Sequence, residues 1–354
     1  MLSFQFPDRS TMELPFMNIF LCVLFLCLTC TLNPIFSLES CNFPDIINFG
    51  DSNSNPTCSL ESCNFPAIFN FGDSNSDTGS LAATSLITLP TPNGETYFHM
   101  PAGRGSDGRH IIDFIGGIFA DLMPKQEYFS NALYTFDIGH NDLLGPFLFN
   151  FSVQEVNASV PNIINDFVTN VEDIYKLGGR SFWIHNAGPI GCLAYILEMF
   201  PSGERDNAGC IKPYNEVAQY FNYMLREVVL QLREDFPEAA FTYVDIYSVK
   251  YSLFEEPERY GFEHPLVVCC GYGGTYNVTV GVYCGDTITV NDTQIFVGSC
   301  ERPDVRVIWD GGHYTDAANK FVFDQISTGA FSDPPIPLRM ACHRNTSFFY
   351  DHMH

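Results

Sequence analysis

Short apolar runs alternate with longer amphipathic stretches along this chain, and most of the apolar runs end in glycine or small polar residues. Pro66-Ala-Ile-Phe-Asn-Phe stops abruptly at Gly72-Asp73-Ser74, which predicts a strand delivering a serine to a tight turn. Ala132-Leu-Tyr-Thr-Phe-Asp-Ile is a second β-rich run and ends in Gly139-His140-Asn141-Asp142. Ser181-Phe-Trp-Ile-His-Asn and Ala240-Phe-Thr-Tyr-Val-Asp-Ile-Tyr predict two further strands. Residues 153–177 have amphipathic helical spacing and stop before Gly178-Gly179, and residues 213–236 predict a long helix opened by Pro213. Residues 111–122 are helical in spacing but interrupted by Gly116-Gly117. The Cys- and Gly-rich stretch 269–300 predicts irregular structure. Val305-Arg-Val-Ile-Trp is an extended run leading to Asp310-Gly-Gly-His313, with a helix expected from about Thr315 to Thr328.

Strands alternating with long helices predict an α/β fold, a mainly parallel sheet with helices on both faces. Ligands of such sheets bind at the carboxyl ends of the strands. Gly72-Asp73-Ser74, Gly139-His140-Asn141-Asp142 and Asp310-Gly-Gly-His313 each follow a strand or extended run, so all three are expected at that edge.

The 354 residues are enough for one large domain or two small ones. A net charge of -24 excludes nucleic acid and anionic membrane surfaces as natural partners. The uncharged apolar run 17–32 followed by small and polar residues reads as a secretory signal peptide cleaved near Ser37, with Met12 or Met17 as alternative starts. The run is short of the roughly 20 residues a bilayer requires, so no stable membrane anchor is expected and the product is expected to be secreted. The cysteines that follow the signal suit disulfides in an oxidising compartment, with connectivity left open. Asn150, Asn157, Asn277, Asn291 and Asn345 each open an Asn-x-Ser/Thr acceptor for N-glycosylation. Cys269-Cys270 followed by Cys284 lacks zinc spacing, and neither a metal nor a cofactor is expected.

A segment beginning at Ser37 recurs almost unchanged at Ser59, so two serines, Ser52 and Ser74, follow Gly-Asp. Two copies are too few for a repeat architecture. Pro56 disfavours helical geometry after Ser52, and Asp45 stands where the second copy has Ala67, which would put a charge in a central strand. The second copy therefore belongs to the core and Ser74 is the preferred nucleophile. The expected organisation is a signal peptide over 1–37, an exposed duplicated segment over 38–58 and one folded domain over 59–354.

A serine hydroxyl needs a base to take its proton, and the base works best when a carboxylate fixes its tautomer. Ser74, His313 and Asp310 supply those three groups, and two glycines between Asp310 and His313 let both face one site. Acyl transfer also needs donors for the developing oxyanion, for which the Ser74 backbone N–H and the Asn141 side-chain amide are candidates. In combination and order, Phe71-Gly-Asp-Ser-Asn-Ser-Asp-Thr-Gly79, Gly103-Arg-Gly-Ser-Asp-Gly-Arg109, Gly139-His-Asn-Asp142 and Asp310-Gly-Gly-His-Tyr-Thr-Asp-Ala-Ala-Asn319 resemble the signature blocks of the plant GDSL esterase/lipase family, within the SGNH hydrolases. The tail 335–343 is similar to the early-nodulin-like and acetylesterase-like branch. The resemblance implies a flavodoxin-like three-layer α/β/α fold and metal-free hydrolysis of small-molecule, lipid or carbohydrate esters. It implies Ser74, Asp310 and His313 as the triad, with Asn141 in the oxyanion hole.

The chain departs from that pattern in its duplication and in one missing block. The stretch that carries the oxyanion-hole glycine in relatives has no equivalent, and the shortfall is placed between Gly117 and Asp121. Gly116 and Gly117 do not sit in the matching context. The expected activity is therefore a carboxylic ester hydrolase with an impaired oxyanion side. The alternatives are a non-catalytic secreted glycoprotein that keeps the scaffold, or an α-fucosidase-like glycosidase.

Overall fold

A computed structural model describes Cys63, Phe65 and residues 67–79, 89–116 and 128–342. The predicted signal segment, the first copy with Ser52, the sequon at Asn345 and the stretch 117–121 lie outside the described residues.

Strand β1 (Ile68–Gly72) precedes helix α1 (Ile111–Gly116), then β2 (Leu133–Asp137), α2 (His140–Leu148) and α3 (Val153–Lys176). Next come β3 (Ser181–His185), α4 (Ala194–Met199), α5 (Lys212–Asp235), β4 (Ala240–Val244) and α6 (Ile246–Glu255). A hairpin of β5 (Thr287–Val290) and β6 (Thr293–Phe296) is followed by α7 (Asp316–Ile326) and the short β7 (Ser332–Asp333). The main sheet runs β1-β2-β3-β4-β7. Its first four strands are parallel and β7 is antiparallel to β4. The architecture is thus α/β with a mainly parallel sheet, as the alternation predicts. Among the described residues β1 pairs only with β2, although a flavodoxin-like order places a strand outside the first one.

Alternation along the strands sorts the core into two layers. Phe69, Tyr134, Phe182 and Phe241 face one side in register and stack across four strands at 5.2, 5.5 and 4.7 Å. They pack with the apolar stripes of α3 and α5. Ile68, Leu133, Trp183 and Val244 face the other side, against α1, α6 and α7. The sheet is buried on both faces, which is why its strands read as near-continuous apolar runs.

Three expectations change. The run predicted as a strand from Ala240 to Tyr247 stops at Val244, because the Asp245 side chain accepts from the Ser248 N–H and caps α6. Within 269–300, β5 and β6 form a hairpin whose turn residues, Asn291 and Asp292, both have positive φ. Residues 305–309 join no named strand and make only the isolated bridge Ile308–Tyr314, so the chain turns back immediately after Trp309. Among the described residues four disulfides, Cys63–Cys342, Cys192–Cys210, Cys269–Cys300 and Cys270–Cys284, pair every cysteine and supply the connectivity that spacing leaves open for them.

Candidate active site

The turn that carries Ser74 starts where β1 ends. Asn70 accepts from the Thr135 hydroxyl at 2.8 Å and donates to the Ser76 carbonyl at 3.2 Å, which folds the chain back over the strand. A Cβ on Gly72 would lie 2.3 Å from the Ser76 Cβ, so glycine is required by close approach. The Asp73 N–H donates to the Asp137 carbonyl at 3.2 Å, and Asp73 Oδ1 accepts from the Asn75 N–H at 2.9 Å. Ser74 is therefore held by its neighbours on both sides, and its Oγ points to His313 Nε2 at 2.7 Å.

The 310–313 turn brings acid and base together. Asp310 Oδ1 accepts from the backbone N–H groups of Gly312 and His313 at 2.9 and 3.0 Å, and both carboxylate oxygens lie 2.9 Å from His313 Nδ1. Burial acts to raise the Asp310 pKa, but the His313 charge and these hydrogen bonds outweigh it and hold the carboxyl below its ordinary range. Burial likewise acts to lower the His313 pKa, and the facing Asp310 carboxylate reverses this and holds it above the ordinary histidine value. The structure thus unites Ser74, His313 and Asp310, which lie 239 and 3 positions apart in the chain.

Several supporting residues carry no sequence signal strong enough to single them out. The Tyr195 ring lies against Gly311, where an added Cβ would come within 2.3 Å, and the Tyr195 N–H donates to the Gly311 carbonyl at 3.1 Å. Gly105 lies under the His313 ring, 3.2 Å from its Cε1 by the same construction. The Gly103–Arg109 loop is fixed by the buried Arg104–Asp113 pair at 2.6 Å, by Asp107 accepting from the Asp316 N–H at 2.7 Å, and by Arg109 on Asp316 at 3.0 Å. Trp309 donates through Nε1 to Asn93 at 2.9 Å. The 103–109 motif thus cradles the histidine from behind.

Asn141 is different. It lies in the first turn of α2, is exposed, and makes no hydrogen bond to the described residues. No described acceptor takes the Ser74 N–H either. Beside them Asp142 is pushed up to about 6, by burial first and then by Asp73. Among the described residues no group of three His, Cys, Asp or Glu could hold a metal ion.

A family model described as GDSL-like Lipase/Acylhydrolase matches residues 68–326. The chain belongs to this family. It is 50% identical to an esterase of Hevea brasiliensis over 97% of this chain and 98% of that protein. It is 47% identical to a GDSL esterase/lipase of Medicago truncatula, covering 92% and 95% of the two chains, and 43% identical to one from Zea mays, covering 86% and 90%. The alignment with the Hevea protein spans 415 residues against 354 in this chain, so that relative carries residues with no counterpart here. As a GDSL family member the protein is an ester-bond hydrolase.

Proposed function

We propose that this GDSL hydrolase cleaves carboxylic esters through Ser74, His313 and Asp310. His313 Nε2 takes the Ser74 proton as Oγ attacks the carbonyl carbon, and Asp310 holds the imidazole tautomer and stabilises the imidazolium. The oxyanion that develops is met by the Ser74 N–H, with the exposed Asn141 amide as a weaker second donor. Collapse expels the alcohol, which takes the proton from His313, and water then repeats the sequence on the acyl-serine to release the acid. The observation that carries this reading is the 2.7 Å contact between Ser74 Oγ and His313 Nε2, with Asp310 2.9 Å behind.

Secretion belongs to the same proposal. Four disulfides suit an oxidising compartment. Asn291, at the tip of the β5–β6 hairpin, and Asn150 are both exposed acceptors for a glycan. Among the described residues no helix is long and apolar enough to cross a membrane. Full-length protein expressed in plant cells should reach the medium carrying glycan at these two positions; retention in the cytosol without glycan would defeat this half of the reading.

A fluorophosphonate probe followed by peptide mapping tests the chemistry. Label on Ser74 that disappears in His313→Ala is the expected result. A well-folded protein that takes no label leaves the scaffold without its chemistry, and label on Ser52 would reverse the choice between the two copies.

A further inference from the structure

Beneath the nucleophile turn lies a set of ionisable side chains that the proposed chemistry does not use. Lys250, on α6, is 1% exposed, whereas the described lysines 176, 212 and 320 are solvent-facing and ion-paired. Its Nζ sits 4.6 Å from the centre of the Tyr314 ring, next in the chain to His313. Its Cδ and His140 Nε2 close on Gly188 so tightly that an added Cβ would lie 3.0 and 3.2 Å from them. Asp137, at the end of β2, faces buried His185 at 3.8 Å. Among the described residues Asp137 Oδ2, His140 Nε2, both ring nitrogens of His185 and the Tyr314 hydroxyl have no hydrogen-bond partner. The ends of β1, β2 and β3 thus converge with α2 and α6 on one enclosed charge cluster.

We propose that Lys250 is a positioning residue for the nucleophile turn: its buried ammonium balances the carboxylates of Asp73 and Asp137 and so clamps the backbone on both sides of Ser74. The inference rests on Ser74 as the nucleophile. Asp137 holds the turn through its carbonyl and Asp73 through its carboxylate on the Asn75 N–H, a bond that is stronger when the acceptor is ionised. Two neighbouring carboxylates cannot both ionise cheaply out of water without a cation. The directions agree. Burial and then Asp137 push Asp73 up to about 6, while Lys250 and His313 pull it down. Burial also acts to raise Asp137, but His185, Lys250 and His140 hold it below its ordinary range. His140 is driven down to about 4 by burial and then by Lys250. Burial also lowers the Lys250 pKa, and Asp137 and then Asp73 act against it, as carboxylates that favour the ammonium do. The titratable groups around the ammonium are Asp73, Asp137, His140, His185 and Tyr314, with Asp142 and His313 acting through Asp73.

The test reads Asp73 directly and does not depend on turnover. In full-length protein carrying ¹³C-labelled aspartate carboxyls, the Asp73 signal is assigned by its loss in D73N and titrated. Lys250→Met should move its midpoint up by about one pH unit, and should slow fluorophosphonate labelling of Ser74 at pH 7 by about tenfold. Lys250→Arg, which keeps the charge, should leave the midpoint in place. The charge-balanced K250M/D137N should be better folded than K250M and return the midpoint toward the wild-type value. A folded K250M with an unmoved midpoint overturns the proposal. If K250M does not fold, a K250M/D137N chain that is equally unfolded overturns it too. A protein that never labels at Ser74 refutes the nucleophile assignment, while the Asp73 titration separately reports on Lys250.

Discussion

The two sides of Ser74 are built to different standards. On the side of the proposed base each side-chain polar atom of Asp310 and His313 is engaged, and the turn between them is wedged by Tyr195 from one direction and Gly105 from another. On the proposed oxyanion side the Asn141 side chain stands exposed with no partner among the described residues, and β1 has no described neighbour outward, only β2 on its other side. A general base needs a fixed angle to its serine, which only packing provides. Oxyanion donors need a closed, dry site to reach full strength. If the proposed triad is right, the difference teaches that proton transfer and charge stabilisation come from separate parts of this fold and can be lost separately.

Four measurements would break or sharpen that contrast. The largest effect belongs to the engaged side: His313→Ala should cut ester hydrolysis or Ser74 labelling by about 10⁴-fold or more. A small loss would show that the well-packed side is not the catalytic one. Gly311→Val forces a side chain into the Tyr195 ring and displaces the 310–313 turn, so a loss of about 100-fold is expected with the fold retained by circular dichroism. The third measurement is a pH profile. His313 acts as a neutral base and its pKa is raised, so protonation sets in at a higher pH than for an ordinary histidine of 6.5. Rates should therefore fall as pH drops, along a limb centred above 6.5, and a limb centred below it would contradict the Asp310–His313 pairing. The smallest effect belongs to the exposed side. A complete oxyanion hole loses about 10²–10³-fold when one donor is removed, whereas Asn141→Ala should cost this protein less than about tenfold. A full-sized loss would mean that Asn141 is engaged once an ester is bound.

The central strands and long helices were legible because a sheet covered on both faces leaves apolar runs, and α3 and α5 leave a clear helical stripe. The hairpin in 287–296 was missed because its strands are short and largely exposed, so the cysteines around it dominated the reading. Its signal was present as Asn291-Asp292 between two β-prone runs. Asp310 and His313 were readable together because local spacing unites them. Tyr195, Gly105 and Lys250 were not, since their roles arise from contacts across the chain that no local pattern records. The alignment to the Hevea esterase is longer than this chain, which shows that residues are lacking here without locating them after Gly117.

The disulfide between Cys63 and Cys342 closes a loop of 279 positions around the entire assembly, and the Cys63 N–H donates to the Arg339 carbonyl beside it. That closure has a consequence in time. The strand carrying Ser74 is among the first described parts to leave the ribosome, yet its base and its covalent tether are among the last. At about 5–20 residues per second the interval from Ser74 to His313 is roughly 10–50 s. On the proposed reading, the nascent chain holds Ser74 without its base throughout that interval, so the triad cannot be assembled until synthesis is nearly done.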